Sequence, residues 1–303
     1  MSRNRLIVLV GPTAVGKTAL AIRLAEHFNT HIISADSRQI FREMEIGTAK
    51  PTPSELAQAP HHFINTRSIS EPYDAGTYAG EVHGLLGELF ASHPLIVLSG
   101  GSGLYIKAVL EGFDDMPEVP PIIRKEVVAG FEKQGLPWLQ ELVHRLDPDY
   151  YEIVDRKNPQ RLMRALEVIK HTGKPFSSFR VKQARQLPFD VIKVGLSLDR
   201  EELYQRIDQR MDNMIQAGLF QEAGQLFSQR ALPALQTVGY QEIFGFLEGH
   251  YDREEAIRLL KRNSRRYAKR QLTWFRQDKS IRWFNPTDWE AVVTYCKSPT
   301  EGL

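Results

Sequence analysis

The chain has 303 residues, 42% of them hydrophobic and 25% charged, with a formal net charge of +2. These values describe a globular protein of one large domain or two ordinary ones and exclude fibrous and disordered chains. A balance so near neutrality leaves a polyanion to be recognised only through uneven placement of basic residues. In chain order, the first element is a buried strand over Leu6 to Val10, followed directly by Gly11, Pro12, Thr13, Ala14, Val15, Gly16, Lys17 and Thr18. This is the pattern G-x-x-x-x-G-K-[ST] between a strand and a helix. Its glycines bring backbone N–H groups close to anionic oxygens, the helix start adds positive field, Lys17 supplies charge and Thr18 can hold Mg²⁺. The loop grips a phosphate chain without revealing which one.

A second strand, His31 to Ala35, ends in Asp36, Ser37, Arg38 and Gln39. Ligands of open α/β sheets bind outside the carboxyl ends of strands, so Asp36 and the phosphate loop are expected to border one crevice. Asp36 is either a helix N-cap or a carboxylate that takes a proton from a nucleophile. His61 and His62 are adjacent, point apart and read as structural packing. A third strand, Leu95 to Ser99, runs into Gly100, Gly101, Ser102 and Gly103, where nucleotide hydrolases usually place an acid. Those glycines signal close approach of a ligand or another backbone, or simply a tight turn.

Residues 118–186, opening after Pro117, read as helices, one of them bounded by Asn158 as N-cap, Pro159 at the first position and Gly173 as the stop. Leu162, Leu166 and Ile169 share one side of it, Arg161 and Arg164 another. A fourth strand follows at Val191 to Leu196. Farther on, Lys261, Arg262, Arg265, Arg266, Lys269 and Arg270 lie along one helical face, and no acid occurs between Lys261 and Arg276. Uncompensated charge of one sign points to nucleic acid or phosphate. The fold class expected is α/β, a P-loop NTPase-like parallel sheet core formed by 1–117 and 187–303, with a helical insertion domain over 118–186. The lone Cys296 reads as incidental, and no apolar run approaches membrane-spanning length, so a cytoplasmic protein without membrane association is expected.

Taken in order, the phosphate loop, Asp36 to Gln39, Ile46 to Pro51, Pro60 to His62, Gly100 to Tyr105, Asn158 to Glu167, Arg210 with Met214 and Gly218, Val238 to Tyr240 and Ala268 to Arg276 resemble the motif series of the bacterial tRNA dimethylallyltransferase (tRNA isopentenyltransferase) family. The resemblance implies transfer of the dimethylallyl group from dimethylallyl diphosphate to N6 of the adenosine at position 37 of tRNA, beside the anticodon, with release of diphosphate. It implies Asp36 as general base, the loop Gly11 to Thr18 on the diphosphate with Thr18 on Mg²⁺, and Arg210 against charge growing on the leaving group. It further implies tRNA contacts from Asp36, Ser37, Arg38, Gln39, Ser102, Arg124 and the run Gln160, Arg161, Leu162, Met163 and Arg164. The helical insertion would clasp the anticodon stem-loop, which one monomer suffices to enclose. Phe41 stands where the family typically has Tyr, and Ser102 where many members have Thr; neither removes a proposed catalytic group. The rival enzyme, an adenylate isopentenyltransferase acting on free AMP, ADP or ATP, needs no such basic surfaces. A small-molecule P-loop kinase would use ATP as donor, and a non-catalytic tRNA-binding protein would not need Asp36, Lys17, Thr18 and Arg210 together.

Overall fold

In a computed structural model, residues 3–114, 116–180 and 186–298 are described; residue 115 and, within the expected insertion, residues 181–185 lie outside them. The chain divides into two compact units, one formed by Met1–Leu110 with Gln186–Leu303, the other by Glu111–Arg185.

The larger unit is built on a parallel sheet of β1 (Arg5–Val10), β2 (Ile32–Ser34), β3 (His61–His62), β4 (Leu95–Gly100), β5 (Asp190–Leu196) and β6 (Arg282–Phe284), in the order β3-β2-β4-β1-β5-β6. The four strands read from the sequence are present. Two short edge strands, β3 and β6, were not foreseen, because two or three residues carry no detectable alternation. In β1 the two-residue period divides the core: Ile7 and Leu9 join Leu24, Val97, Val194 and Ile207 on one face, while Leu6, Val8 and Val10 join Ile33, Tyr78, Leu98 and Ile106 on the other. A fully buried side chain of this kind contributes about 1.5–3 kcal/mol, so a central strand without polar alternation is what burial on both faces selects.

Helices α1 (Lys17–Phe28), α2 (Pro53–Leu56), α3 (Ala75–Leu89) and α4 (Gly103–Glu111) alternate with the first strands. The second unit holds α5 (Pro121–Leu146), α6 (Pro148–Ile153) and α7 (Pro159–Thr172) around a core that includes Val127, Leu139, Leu162 and Leu166, and among its described residues there is no strand. In α7 the Asn158 side chain accepts the Arg161 N–H at 3.3 Å, Pro159 opens the helix, and Gly173 closes it at φ 69°. The larger unit resumes with α8 (Arg200–Gln216), α9 (Leu219–Leu226), α10 (Tyr240–Leu247), α11 (Arg253–Phe275) and α12 (Trp289–Lys297). Among the described residues no helix is long and apolar enough to cross a membrane.

Candidate functional site

Strand register brings three loops together. Val10 pairs with Gly100, and Ser34 with Ser99, so the loops leaving β1, β4 and β2 emerge side by side at the carboxyl edge of the sheet. Close backbone packing fixes their spacing: the Ala35 N–H donates to Ser99 O at 2.8 Å and the Ser102 N–H to Ala35 O at 3.2 Å. A Cβ at Gly100 would collide with the Ala35 carbonyl. The glycine there serves approach of another backbone, which answers one of the questions the sequence left open.

The phosphate loop turns through Gly11 at φ 153° and Gly16 at φ 104°, a left-handed region that favours glycine. The Lys17 ammonium donates back to Gly11 O at 3.0 Å and Pro12 O at 2.7 Å. Its pKa is pulled down to about 7 by burial first and by repulsion from Arg210 second, against attraction from Asp36. Arg210, on α8, donates to Thr13 Oγ1 at 3.3 Å, and burial lowers its pKa too, against attraction from Asp36. Two desolvated cations at one glycine-rich turn form a cradle that an anion would relieve. Thr18, half-buried in the first turn of α1, sits where a hydroxyl can meet a cation bound to that anion.

Asp36 Oδ1 accepts the N–H groups of Arg38 at 2.9 Å and Gln39 at 3.3 Å. The carboxylate therefore closes a turn, but no helix starts there, so Asp36 is not the helix N-cap that the sequence allowed; Oδ2 is not used by those bonds. Ser102 Oγ accepts the Ser37 N–H at 2.9 Å, joining two of the residues expected to touch RNA. Asp36, Arg38 and Arg210 line one pocket with Thr13, Gly47, Thr48, Ala49, Met211, Met214, Leu219, Val238 and Tyr267. Polar groups thus border apolar side chains in the same concavity, the arrangement of a small-molecule site. Arg206, four residues before Arg210, pairs instead with Glu202 at 2.8 Å on the surface.

In the second unit, Arg124, Gln160 and Arg161 are exposed. Leu162 and Met163 are instead buried in that unit's core. Their side chains face inward because α7 is amphipathic, so only the polar side chains of this stretch reach the surface. Arg164 is only half free: it lies 3.6 Å from the buried carboxylate of Glu167.

The uncompensated stripe on α11 also needs correction. Lys261 pairs with Asp212 at 2.6 Å and Arg265 with Asp208 at 2.5 Å, acids supplied by α8. Arg266, Lys269 and Arg270 remain exposed. The same helix carries a residue whose role the sequence did not disclose. Buried Gln271 accepts the Thr13 N–H at 2.8 Å and donates to Gly101 O at 3.0 Å, tying the phosphate loop to the glycine turn. Its one available signal is position, since 264, 268, 271 and 275 repeat at helical spacing on the buried side.

His61 and His62 are engaged within the fold: His61 Nδ1 lies 2.7 Å from Ala59 O, and His62 Nε2 lies 2.9 Å from His31 Nδ1. Cys296 is buried, and burial pushes its thiol up to about 12, far from a nucleophile's range.

The IPP transferase family model matches residues 39–278. The chain is 50% identical over 293 residues to a tRNA dimethylallyltransferase of Cytophaga hutchinsonii, covering 97% of this chain and 96% of that protein. Its backbone is similar to the crystal structure of the full-length tRNA isopentenylpyrophosphate transferase from Bacillus halodurans, with a TM-score of 0.70, 36% identity and coverage of 97% and 95% of the two chains. A eukaryotic dimethylallyltransferase acting on tRNA is similar with a TM-score of 0.77 at 26% identity, over 96% of this chain and 76% of that one. The family match starts after the phosphate loop, but the relatives extend across nearly the whole chain, and together they assign this protein to the IPP transferase family.

Proposed function

We propose that this chain transfers the dimethylallyl group of dimethylallyl diphosphate to N6 of the adenosine at position 37 of tRNA, giving N6-isopentenyladenosine and diphosphate. The observation that carries the reading is the shared pocket of Asp36, Arg210 and the phosphate loop residue Thr13, closed by the apolar side chains of Met211, Met214, Leu219 and Val238. Curated relatives across nearly the full length bear the name tRNA dimethylallyltransferase, which supports tRNA as acceptor.

In this reading the loop amides and Lys17 hold the diphosphate, whose charge offsets the desolvation of Lys17 and Arg210. The adenosine N6 forms a bond to the first carbon of the donor as the carbon–oxygen bond breaks and its electron pair leaves with the diphosphate. Asp36 accepts the N6 proton through Oδ2, while Oδ1 stays bound to its turn. Arg210 meets charge that grows on the diphosphate as the carbon–oxygen bond breaks and is therefore larger in the transition state than in the bound donor. Thr18 would hold Mg²⁺, which neutralises the leaving diphosphate when bound.

Extracting the base takes a few kcal/mol of unstacking, about what several RNA contacts supply. Ser37, Arg38, Gln39 and Ser102 surround the base in this reading; Arg124, Gln160, Arg161 and Arg164 contact RNA from the second unit. In this reading the enzyme acts as a cytoplasmic monomer, with each chain holding its own crevice. Incubation with labelled dimethylallyl diphosphate and unmodified tRNA, free AMP or no acceptor tests the proposal. Label incorporated into tRNA alone supports it; label in AMP alone, or in neither, overturns it.

A further inference from the structure

A short loop, Glu45 to Ala49, lines the pocket through Gly47, Thr48 and Ala49, and none of these residues belongs to the reacting set above. Its backbone is bound from both polarities. Three successive N–H groups, of Glu45, Ile46 and Gly47, donate to the carboxylate of Glu222 at 3.0, 2.7 and 2.9 Å. Successive amides converging on one point form an anion-binding concavity, filled here by a side chain of the protein itself. The carbonyls of Thr48 and Ala49 accept Gln39 Nε2 at 3.2 and 3.1 Å. Ala49, itself one of these anchors, is held at φ 50°, a left-handed conformation that non-glycine residues rarely adopt.

Glu222 is itself oriented. The Tyr240 hydroxyl donates to its Oε1 at 2.6 Å, and the fully buried Tyr240 ring lies so close to Gly47 that a Cβ there would stand 2.6 Å from it. Gly218, at φ 106°, starts α9 so that Glu222 falls in its first turn and Leu219 reaches the pocket. One helix start thus supplies both an apolar wall residue and the anchor of the neighbouring wall.

We propose that Glu222 is a positioning and specificity-determining residue: it fixes the Glu45–Ala49 loop as a rigid wall of the pocket and so limits the length of prenyl group accepted. The inference rests on the donor assignment made above. Discrimination between homologous apolar groups is weak unless the wall cannot move, since a pliable pocket adapts to added methylenes. Both oxygens of Glu222 accept N–H groups, so Glu222→Gln turns an amide donor toward at least one loop N–H while keeping the side chain's size.

The test uses the full chain with unmodified tRNA and two donors, dimethylallyl and geranyl diphosphate. Glu222→Gln is expected to raise KM for dimethylallyl diphosphate about tenfold and to shift preference toward the geranyl donor by a similar factor, with tRNA affinity unchanged. Tyr240→Phe, which keeps the ring under Gly47, should move both readouts the same way by less. The double variant should be no worse than Glu222→Gln, because the two residues act through one carboxylate. Unchanged KM and donor preference in folded Glu222→Gln would overturn the proposal, as would unchanged values in Tyr240→Phe should Glu222→Gln fail to fold. A wild-type protein inactive with tRNA and dimethylallyl diphosphate would defeat the functional reading instead.

Discussion

Two groups of cations in this protein obey different physics. Lys17, Arg38 and Arg210 sit at the crevice, and burial holds all three below their ordinary pKa values. Arg266, Lys269 and Arg270 stand in solvent on α11, while Lys261 and Arg265 of the same helix are paired with Asp212 and Asp208. Charges of the first kind are desolvated in advance, so an anion meets them at low dielectric and at a fixed distance. Charges of the second kind act through water and are screened within about 8 Å at physiological salt. Substitutions at the crevice should therefore appear in reaction rate, and those on exposed helices in salt-dependent affinity.

The largest effect is expected at Asp36. Asp36→Asn keeps an oxygen for the Arg38 and Gln39 amides but removes the base, so prenyl transfer should fall on the order of 10³-fold with tRNA affinity within severalfold. A wild-type rate across neutral pH would reduce Asp36 to its turn-closing role. Next comes Arg210→Ala, for which the single-turnover rate should drop about 10²-fold with little change in donor binding. Weaker tRNA binding at an unchanged rate would move Arg210 from the crevice group to the RNA-contact group.

Lys17 gives a smaller effect of opposite sign on the free protein. Its folded pKa of about 7 lies below the ordinary 10.5, so between these values the unfolded chain binds more protons. Stability should therefore rise with pH across that window, while below pH 7 the penalty is present in full. Lys17→Met should lose this rise and match or exceed the wild-type melting temperature at pH 7, although transfer activity is lost. Melting curves of both proteins between pH 6 and 10 decide it; parallel curves would mean that Lys17 is not desolvated in the free chain.

The smallest effect belongs to the solvent-exposed group. Arg161→Ala should weaken tRNA binding and reduce the salt slope by about 0.7 log units, the release expected from one phosphate contact on a single strand. Arg164→Ala is a different experiment, because it leaves the buried Glu167 carboxylate without its partner. It should lower the melting temperature, which Arg161→Ala should not. Binding isotherms at several salt concentrations, with melting curves on the same samples, separate the two arginines.

The phosphate loop was legible because its chemistry fixes both residue types and spacing, and the four long strands because burial on two faces leaves continuous apolar runs. Asn158 and Gly173 bounded α7 correctly because caps are local events. What stayed hidden was tertiary. Nothing in the run from Lys261 to Arg276 announces that Asp208 and Asp212 lie across from it. Nor does the Asp36 segment foretell that Gly100 is dictated by the Ala35 carbonyl. Gln271 shows the limit most clearly, since a glutamine among basic residues reads as surface until its two partners, both far away in sequence, are seen. Leu162 is the opposite case: its helical spacing with Leu166 already pointed its side chain inward, where the structure places it.

The central place of β1 has a consequence for synthesis of the chain. β1 pairs with β4 on one side and β5 on the other, and the whole second unit is translated between those two partners. Until β5 leaves the ribosome, one edge of an almost wholly apolar strand stays unpaired, which invites pairing with other chains and favours chaperone capture. Gly11, at the tip of β1, packs against the carbonyl of Leu196 at the end of β5. A nascent chain that has not reached Leu196 therefore carries the phosphate-binding sequence without the backing that shapes its first turn. The loop should therefore take its final shape late in translation, first as β5 pairs with β1 and then as Arg210 and Gln271 reach Thr13.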